Sequence, residues 1–310
     1  MIKKEDPSVL TPHERKQWQR LRRRQRTRRR ILRSTAILPS LFTVGNGLAG
    51  FAAIHFAAKE GLGVANDASL HNLAIAAWLI FAAMVFDMLD GRVARLTRTT
   101  TDFGGQLDSL CDVISFGAAP AFLMVRTVAM GLREHPFDLP DGAGLERLVW
   151  SIAGLYLVCG TLRLARFNVE NVPDESAHMS FRGLPIPGAA APIAALVLLV
   201  THLAEAQSGW RSAQWLEGAI CMILPVVMLA AALLMVSRFR YSHVVNQYIR
   251  GRKPLSYLIK FVVVALAAML EPYVTAAAVT VGYALSGLVG AIWRWVRHKE
   301  AVPPPPKVLP

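Results

Sequence analysis

Apolar residues along this chain are gathered into long runs, and short polar segments separate the runs. A helix needs about 20 consecutive apolar residues to cross the hydrocarbon core of a bilayer. The pattern therefore predicts an all-α polytopic membrane protein, whose last two runs form either two spans or one re-entrant pair. The eight candidate spans lie at 37–58, 71–97, 103–130, 148–168, 186–204, 219–237, 256–270 and 273–295.

The overall composition agrees with this pattern. Hydrophobic residues make up 54% of the 310 positions, which is typical of membrane proteins and leaves little chain for a soluble domain. The three cysteines, Cys111, Cys159 and Cys221, fall inside apolar runs without the spacing of metal ligands, so we interpret them as packing residues.

Basic residues are concentrated before the first span, where 13 of the 34 Lys and Arg residues lie. Because Lys and Arg are retained on the cytoplasmic side, this bias predicts a cytoplasmic N-terminus. The same rule places the arginine-bearing loops around 92–98, 163–182 and 238–253 inside, and an even number of spans brings the C-terminus to the same side. The N-terminal arm suits water or anionic lipid headgroups. Nucleic-acid binding is disfavoured because no recognition fold accompanies it.

Four aspartates stand out because ionisable side chains within membrane spans are rare and mark functional sites. Asp87 and Asp90 are three residues apart, and Asp108 and Asp112 are four apart, so each pair shares one face of its helix. The connection between the two helices is short, which makes them antiparallel neighbours. Buried ion pairs or loop residues could explain one such aspartate, whereas four in helical register indicate a site.

Four carboxylates at one place repel each other unless cations neutralise them. Oxygen ligands suit Mg²⁺, Mn²⁺ or Ca²⁺ rather than zinc, and two such ions could act together on a phosphoryl group. Gly91, Ala94 and Gly104 leave room between the helices for a phosphate-bearing ligand, and Arg95 on the same face can bind phosphate.

The segment D-M-L-D-G-R-V-A-R from Asp87, eight further residues, and G-G-Q-L-D-S-L-C-D from Gly104 resembles the motif of the CDP-alcohol phosphotransferases at every fixed position. The resemblance implies a six-helix transmembrane core that is usually a homodimer. It also implies that the four aspartates bind two divalent cations, Mg²⁺ or Mn²⁺, and that Asp112 is the general base. The CDP site that it implies comprises Gly91, Ala94, Arg95, Gly104 and Thr43, although Ser40 stands where many relatives have Asn.

Longer stretches are similar to the membrane-integral phosphatidylserine synthases, namely R-L-A-R-F-N from Arg163, F-R-G-L-P-I-P from Phe181 and L-M-V-S-R-F-R-Y from Leu234. This similarity implies transfer of the phosphatidyl group from CDP-diacylglycerol to L-serine, giving phosphatidylserine and CMP. A zwitterionic acceptor needs a cation for its carboxylate, which arginine binds in a planar fork. Position and resemblance together predict a serine site formed by Arg163, Arg166, Asn168 and Arg182.

Two other functions stay open on these residues alone. The acceptor could be glycerol 3-phosphate or an inositol compound, because the metal motif does not select the alcohol. A phosphorylated acceptor would call for a further basic cluster. Intramembrane aspartates could instead serve a cation transporter, but that function needs a polar path through the bilayer, and the outer halves of the second and third runs are almost wholly apolar.

The chain thus divides into four expected parts along its length. We predict an integral protein of the cytoplasmic or inner membrane, with both termini and the active site on the cytoplasmic side. Its expected partners are CDP-diacylglycerol, L-serine, membrane lipids and a second copy of itself, and no nucleic acid. The parts are a basic cytoplasmic arm at 1–33, the CDP-alcohol phosphotransferase domain at 34–241, additional C-terminal membrane helices at 242–297 and a proline-rich disordered tail at 298–310.

Overall fold

The computed structural model describes residues 37–59, 67–97, 102–134, 142–170, 183–205, 211–237 and 255–300. Within these ranges the chain is helical and contains no strand. The basic arm and the C-terminal tail lie outside them. The helices are α1 Ile37–Ala58, α2 Asp67–Thr97, α3 Asp102–Asp112, α4 Ala119–Glu134, α5 Gly142–Glu170, α6 Ile186–Glu205, α7 Arg211–Val236, α8 Leu255–Leu270 and α9 Pro272–Glu300.

Seven helical stretches in the described part are long and apolar enough to cross a membrane, which confirms an all-α polytopic membrane protein. The third is a continuous rod, because a π-helical turn at Val113–Ala118 joins α3 to α4. The predicted run 256–270 does form a helix, α8, but its 16 residues rise only about 24 Å. Its bounds match the predicted run, and a helix of this length is shorter than the hydrocarbon core, which is compatible with the predicted alternative of a re-entrant pair with α9.

α6 forms the centre of the bundle, and most of its side chains are buried. Its neighbours are α2, α7 and α9, while α1 packs along α2 and also contacts α3, the π-helical turn and α4. Large apolar side chains such as Leu48, Trp78 and Val226 remain exposed on the outer helices. In a bilayer these outward faces meet lipid, so the bundle is apolar both inside and outside.

Contacts between distant residues show that successive spans alternate in direction. Thr43 near the start of α1 meets Asp90 near the end of α2, and Asn46 meets Asp112 in the first half of the third rod. The starts of α1 and α3 and the end of α2 therefore lie at the same end of the bundle. The end of α5 joins them through Asn168 and Ser109, and the start of α6 and the end of α7 lie there too, because Ile186 and Met235 pack against Gly160 of α5. We call this the site end.

A short segment before α6 docks onto the end of α7. Leu184 donates its backbone N–H to the carbonyl of Leu234, at 3.1 Å. Gly183 has a φ of 88°, and a Cβ atom there would lie 2.5 Å from the carbonyl oxygen of Met235. Both the left-handed backbone and the close approach require glycine. This contact fixes the entry of α6 at the site end.

Candidate metal and phosphotransfer site

Three of the four predicted aspartates converge at the site end. Asp87 of α2 and Asp108 and Asp112 of α3 each offer a carboxylate oxygen, and these oxygens lie within 4.8 Å of one another. Asp87 and Asp108 are half-buried, whereas Asp112 is buried. Such an arrangement of oxygen donors can hold a hard divalent cation, which would offset the repulsion between the carboxylates.

The fourth aspartate, Asp90, lies beside this group within electrostatic reach of Asp87 and Asp108. It is buried, and its Oδ2 accepts a hydrogen bond from the hydroxyl of Thr43. One turn along α2 from Asp87, it thus faces α1 as well as the aspartate group. The helical spacing predicted that the two pairs face a common centre, and the structure places carboxylates from both helices within 4.8 Å of one another.

α1 contributes a residue that sequence reasoning did not assign to the site, Asn46. Its side-chain amide nitrogen donates to Oδ1 of Asp112 at 2.9 Å, and the residue is fully buried. The Oδ1 atom of the same amide is buried without a hydrogen-bond partner among the described residues. A buried, unsatisfied carbonyl oxygen beside clustered carboxylates fits a site that receives a cation. Asn46 lies three residues after Thr43 on one face of the first span, and this spacing is the signal that could have identified it.

Glycine allows α1 to approach the aspartate helix this closely. A Cβ atom at Gly47 would lie 2.9 Å from the sulfur of Cys111, and one at Gly50 would lie 2.5 Å from the Cα atom of Ser115. The Ser115 hydroxyl donates to the backbone carbonyl of Asn46 at 2.8 Å. The backbone around Asn46 is therefore held directly against the helix that carries Asp112.

The backbone changes from α-helical to π-helical immediately after Asp112. Such turns leave main-chain groups out of the regular hydrogen-bond ladder and are frequent at functional sites. Here Tyr156 of α5, fully buried, donates its hydroxyl to the carbonyl of Phe116 at 2.9 Å. This bond connects α5 to the turn that follows Asp112.

The residues predicted for the CDP site differ in their exposure. Gly91 is exposed, Ala94 and Gly104 are half-buried, and Thr43 is buried against Asp90. The side chain of Arg95 lies outside the described part of the structure. A ligand approaching from the site end could therefore reach the small residues, while Thr43 contacts an aspartate.

The predicted serine residues are placed in different environments. Arg163 is half-buried within electrostatic reach of Asp112, and Arg166, one turn later, is exposed. Asn168 is exposed, and its amide nitrogen donates to the hydroxyl of Ser109 at 2.9 Å, which ties the end of α5 to α3. Arg182 lies outside the described residues. Of the predicted serine residues that the structure describes, Arg163 lies within electrostatic reach of Asp112, and Asn168 reaches the chain neighbour of Asp108 through Ser109.

Residues 36–223 match the family model described as CDP-alcohol phosphatidyltransferase. Several relatives carry the name CDP-diacylglycerol–serine O-phosphatidyltransferase. The one from Helicobacter pylori is 33% identical over 207 residues, which cover 67% of this chain and 72% of the relative. The one from Mycobacterium tuberculosis is 34% identical, covering 61% of this chain and 59% of the relative. A third, from Bacillus subtilis, is 35% identical, covering 48% of this chain and 69% of the relative. Since the family model matches more than half of its length, this chain belongs to the CDP-alcohol phosphatidyltransferase family.

Proposed function

We propose that this protein transfers the phosphatidyl group of CDP-diacylglycerol to L-serine, producing phosphatidylserine and CMP. The observation that carries the proposal is the convergence of Asp87, Asp108 and Asp112 within 4.8 Å in a chain of this family. The names of its relatives support serine as the acceptor alcohol.

Asp87, Asp90, Asp108 and Asp112 would together hold two divalent cations, Mg²⁺ or Mn²⁺. The donor set supports this assignment, because it consists of carboxylate oxygens with one buried amide oxygen beside them. When bound, the cations supply charge neutralisation for the diphosphate and for the departing CMP.

Asp112 would act as the general base. It would accept the proton of the serine hydroxyl while the hydroxyl oxygen bonds to the lipid-side phosphorus and the bond from that phosphorus to CMP breaks. Asn46 donates to one carboxylate oxygen, which orients the carboxylate. Burial of Asp112 keeps competing water away from the proton-accepting oxygen.

The nucleotide would lie along the open side of the aspartates. Gly91, Ala94 and Gly104 offer little side-chain volume there, so the CDP moiety can approach the helix backbones. Arg95 and Thr43 would complete the CDP site, Arg95 through a charge-assisted contact to phosphate. The diacylglycerol chains would remain among the exposed apolar side chains, in lipid.

Serine would bind where α5 ends. Arg163, Arg166, Asn168 and Arg182 are the residues proposed to hold it, and arginine matches the serine carboxylate in two parallel hydrogen bonds. Arg163 is the best supported of these because it lies within electrostatic reach of Asp112. Asn168 also bridges to Ser109, beside Asp108, so it could couple the serine site to the metal site.

The substrates also bear on the orientation of the enzyme in the membrane. CDP and serine are water-soluble, so the site end would face the cytoplasm, with both termini on that side. We also propose a homodimer, as the family resemblance implies.

The proposal is tested with purified protein, CDP-diacylglycerol and Mg²⁺ or Mn²⁺, by measuring CMP release with serine, glycerol 3-phosphate, inositol or no acceptor. Release that requires serine supports the assignment. Release that requires another alcohol would keep the chemistry and reject serine, and a protein that binds divalent cations but never releases CMP would contradict both.

A further inference from the structure

α9 lies beyond the segment that matches the family model, yet it packs tightly on the central helix of the bundle. Ala277 and Ala284 on one face of α9 are buried. The rings of Tyr273 and His202 stack with centroids 4.3 Å apart, at the end of α6 remote from the site. α9 therefore runs antiparallel to α6, and its middle turns approach the site end.

Tyr283 of α9 reaches this end. Its ring lies over Gly188 near the start of α6, where an added Cβ atom would be 2.9 Å from Cε1 of the tyrosine. Any larger residue than glycine at this position would push the ring away. Tyr283 is half-buried, as expected for a ring held between helices.

The functional candidate within electrostatic reach of Tyr283 is Arg163 of α5. This side chain is half-buried on α5, and its Nε is buried without a hydrogen-bond partner among the described residues. Gly160, one turn earlier on α5, packs against Ile186 at the start of α6, where an added Cβ atom would be 3.0 Å from the isoleucine Cδ1, and Ile186 is two residues before the Gly188 that Tyr283 covers. The Arg163 guanidinium is also within electrostatic reach of both Asp112 and Tyr283. A guanidinium group has five N–H donors, and a phenolic oxygen can accept from one of them. Tyr283 thus supplies an acceptor from a separate helix, close to an arginine with a spare buried donor.

We propose that Tyr283 is a positioning residue that holds the Arg163 guanidinium toward the acceptor alcohol, so that α9 forms part of the acceptor side of the active site. The identity of the acceptor as serine rests on the proposed function, but the positioning of Arg163 does not. The hydroxyl would fix the guanidinium plane, and the remaining donors would be left for the carboxylate of the substrate. A preoriented arginine lowers the entropy lost when the substrate binds.

The test compares Tyr283→Phe with Tyr273→Phe, a matched change on the same helix at the end remote from the site. Serine and CDP-diacylglycerol are varied independently in the CMP-release assay. Tyr283→Phe should raise the apparent KM for serine at least fivefold, while kcat and the apparent KM for CDP-diacylglycerol stay within twofold. Tyr273→Phe should leave all three constants unchanged.

A double-mutant cycle shows whether Tyr283 acts through Arg163. In an Arg163→Lys background, which itself weakens serine binding, Tyr283→Phe should add less than twofold to the apparent KM. Gly188→Ala should raise the serine KM when Tyr283 is present and have little effect in a Tyr283→Ala background, because its methyl group acts by displacing the ring.

An unchanged apparent KM for serine in Tyr283→Phe would overturn the proposal. So would an equal increase in that KM when Tyr283→Phe is made in the wild type and in the Arg163→Lys background. If the wild type releases CMP only with another alcohol, serine fails as the acceptor. The same cycle run with that alcohol then decides the role of Tyr283 separately.

Discussion

Replacing Asn46 by alanine should slow turnover while leaving CDP-diacylglycerol binding largely intact. The side-chain amide donates to Oδ1 of Asp112 at 2.9 Å, and both residues are buried. Alanine removes the donor and leaves the carboxylate without a fixed orientation at the point where it must accept a proton. Asn46→Leu removes the same donor but largely keeps the side-chain volume, so it separates the lost hydrogen bond from an empty cavity.

The expected size of the effect follows from the charge of the acceptor. A hydrogen bond to a charged group contributes about 1.5–3 kcal/mol, more than one between neutral groups. Each ~1.36 kcal/mol added to the activation free energy lowers the rate tenfold. If the whole contribution is lost in the transition state, kcat should decrease by roughly 10- to 150-fold. The apparent KM for CDP-diacylglycerol should change by less than about threefold, since the phosphate-binding groups remain.

The assay is steady-state CMP release by protein in detergent, with a thermal melt of each variant as a measure of folding. Thr127→Val is the matched control, because Thr127 is also a buried polar residue but donates to Leu123 of its own helix at 2.9 Å. Its turnover should match the wild type. If folded Asn46→Ala and Asn46→Leu both keep kcat within twofold of the wild type, Asn46 does not orient a catalytic Asp112.

Three further changes test other parts of the site. Gly50→Ala should lower the free energy of unfolding by about 1–3 kcal/mol, because the added methyl group overpacks against the adjacent helix. Gly154→Ala, which has nothing within 4 Å of the added Cβ atom, should be neutral or slightly stabilising. Equal melting temperatures for the two variants would contradict the tight packing of α1. Asp108→Asn and Asp112→Asn should each abolish CMP release, as should excess chelator. Substantial turnover under any of these conditions would refute the metal role. Asp112→Asn should still bind CDP-diacylglycerol. Arg166→Ala and Arg166→Lys should each raise the apparent KM for serine at least tenfold, equivalent to about 1.4 kcal/mol. An equal increase in the apparent KM for CDP-diacylglycerol would reject Arg166 as the serine anchor.

The part of the site that could be predicted from sequence is the part encoded by helical spacing. Asp87 with Asp90, and Asp108 with Asp112, lie three and four residues apart, so each pair had to share a helix face. Because the connection between the two helices is short, the helices had to lie next to each other. These local constraints were sufficient to predict the convergence that the structure contains.

Features that depend on packing between distant segments could not be predicted in the same way. Asn46 and Asp112 are separated by 66 residues, and a single amide in a membrane span does not indicate its partner. The π-helical turn after Asp112 is stabilised by the Tyr156 hydroxyl from another helix, and no local pattern of Val113–Ala118 encodes that contact.

Tracing the serine oxygen through the reaction tests the central claim most directly. Protein, Mg²⁺ and CDP-diacylglycerol are incubated with serine carrying ¹⁸O in its hydroxyl group, and the lipid products are measured by mass spectrometry. Attack of the serine hydroxyl on phosphorus predicts ¹⁸O-labelled phosphatidylserine and CMP in equal amounts, with neither formed by Asp112→Asn. CMP accompanied by unlabelled phosphatidic acid, or by no serine-containing lipid, would contradict it.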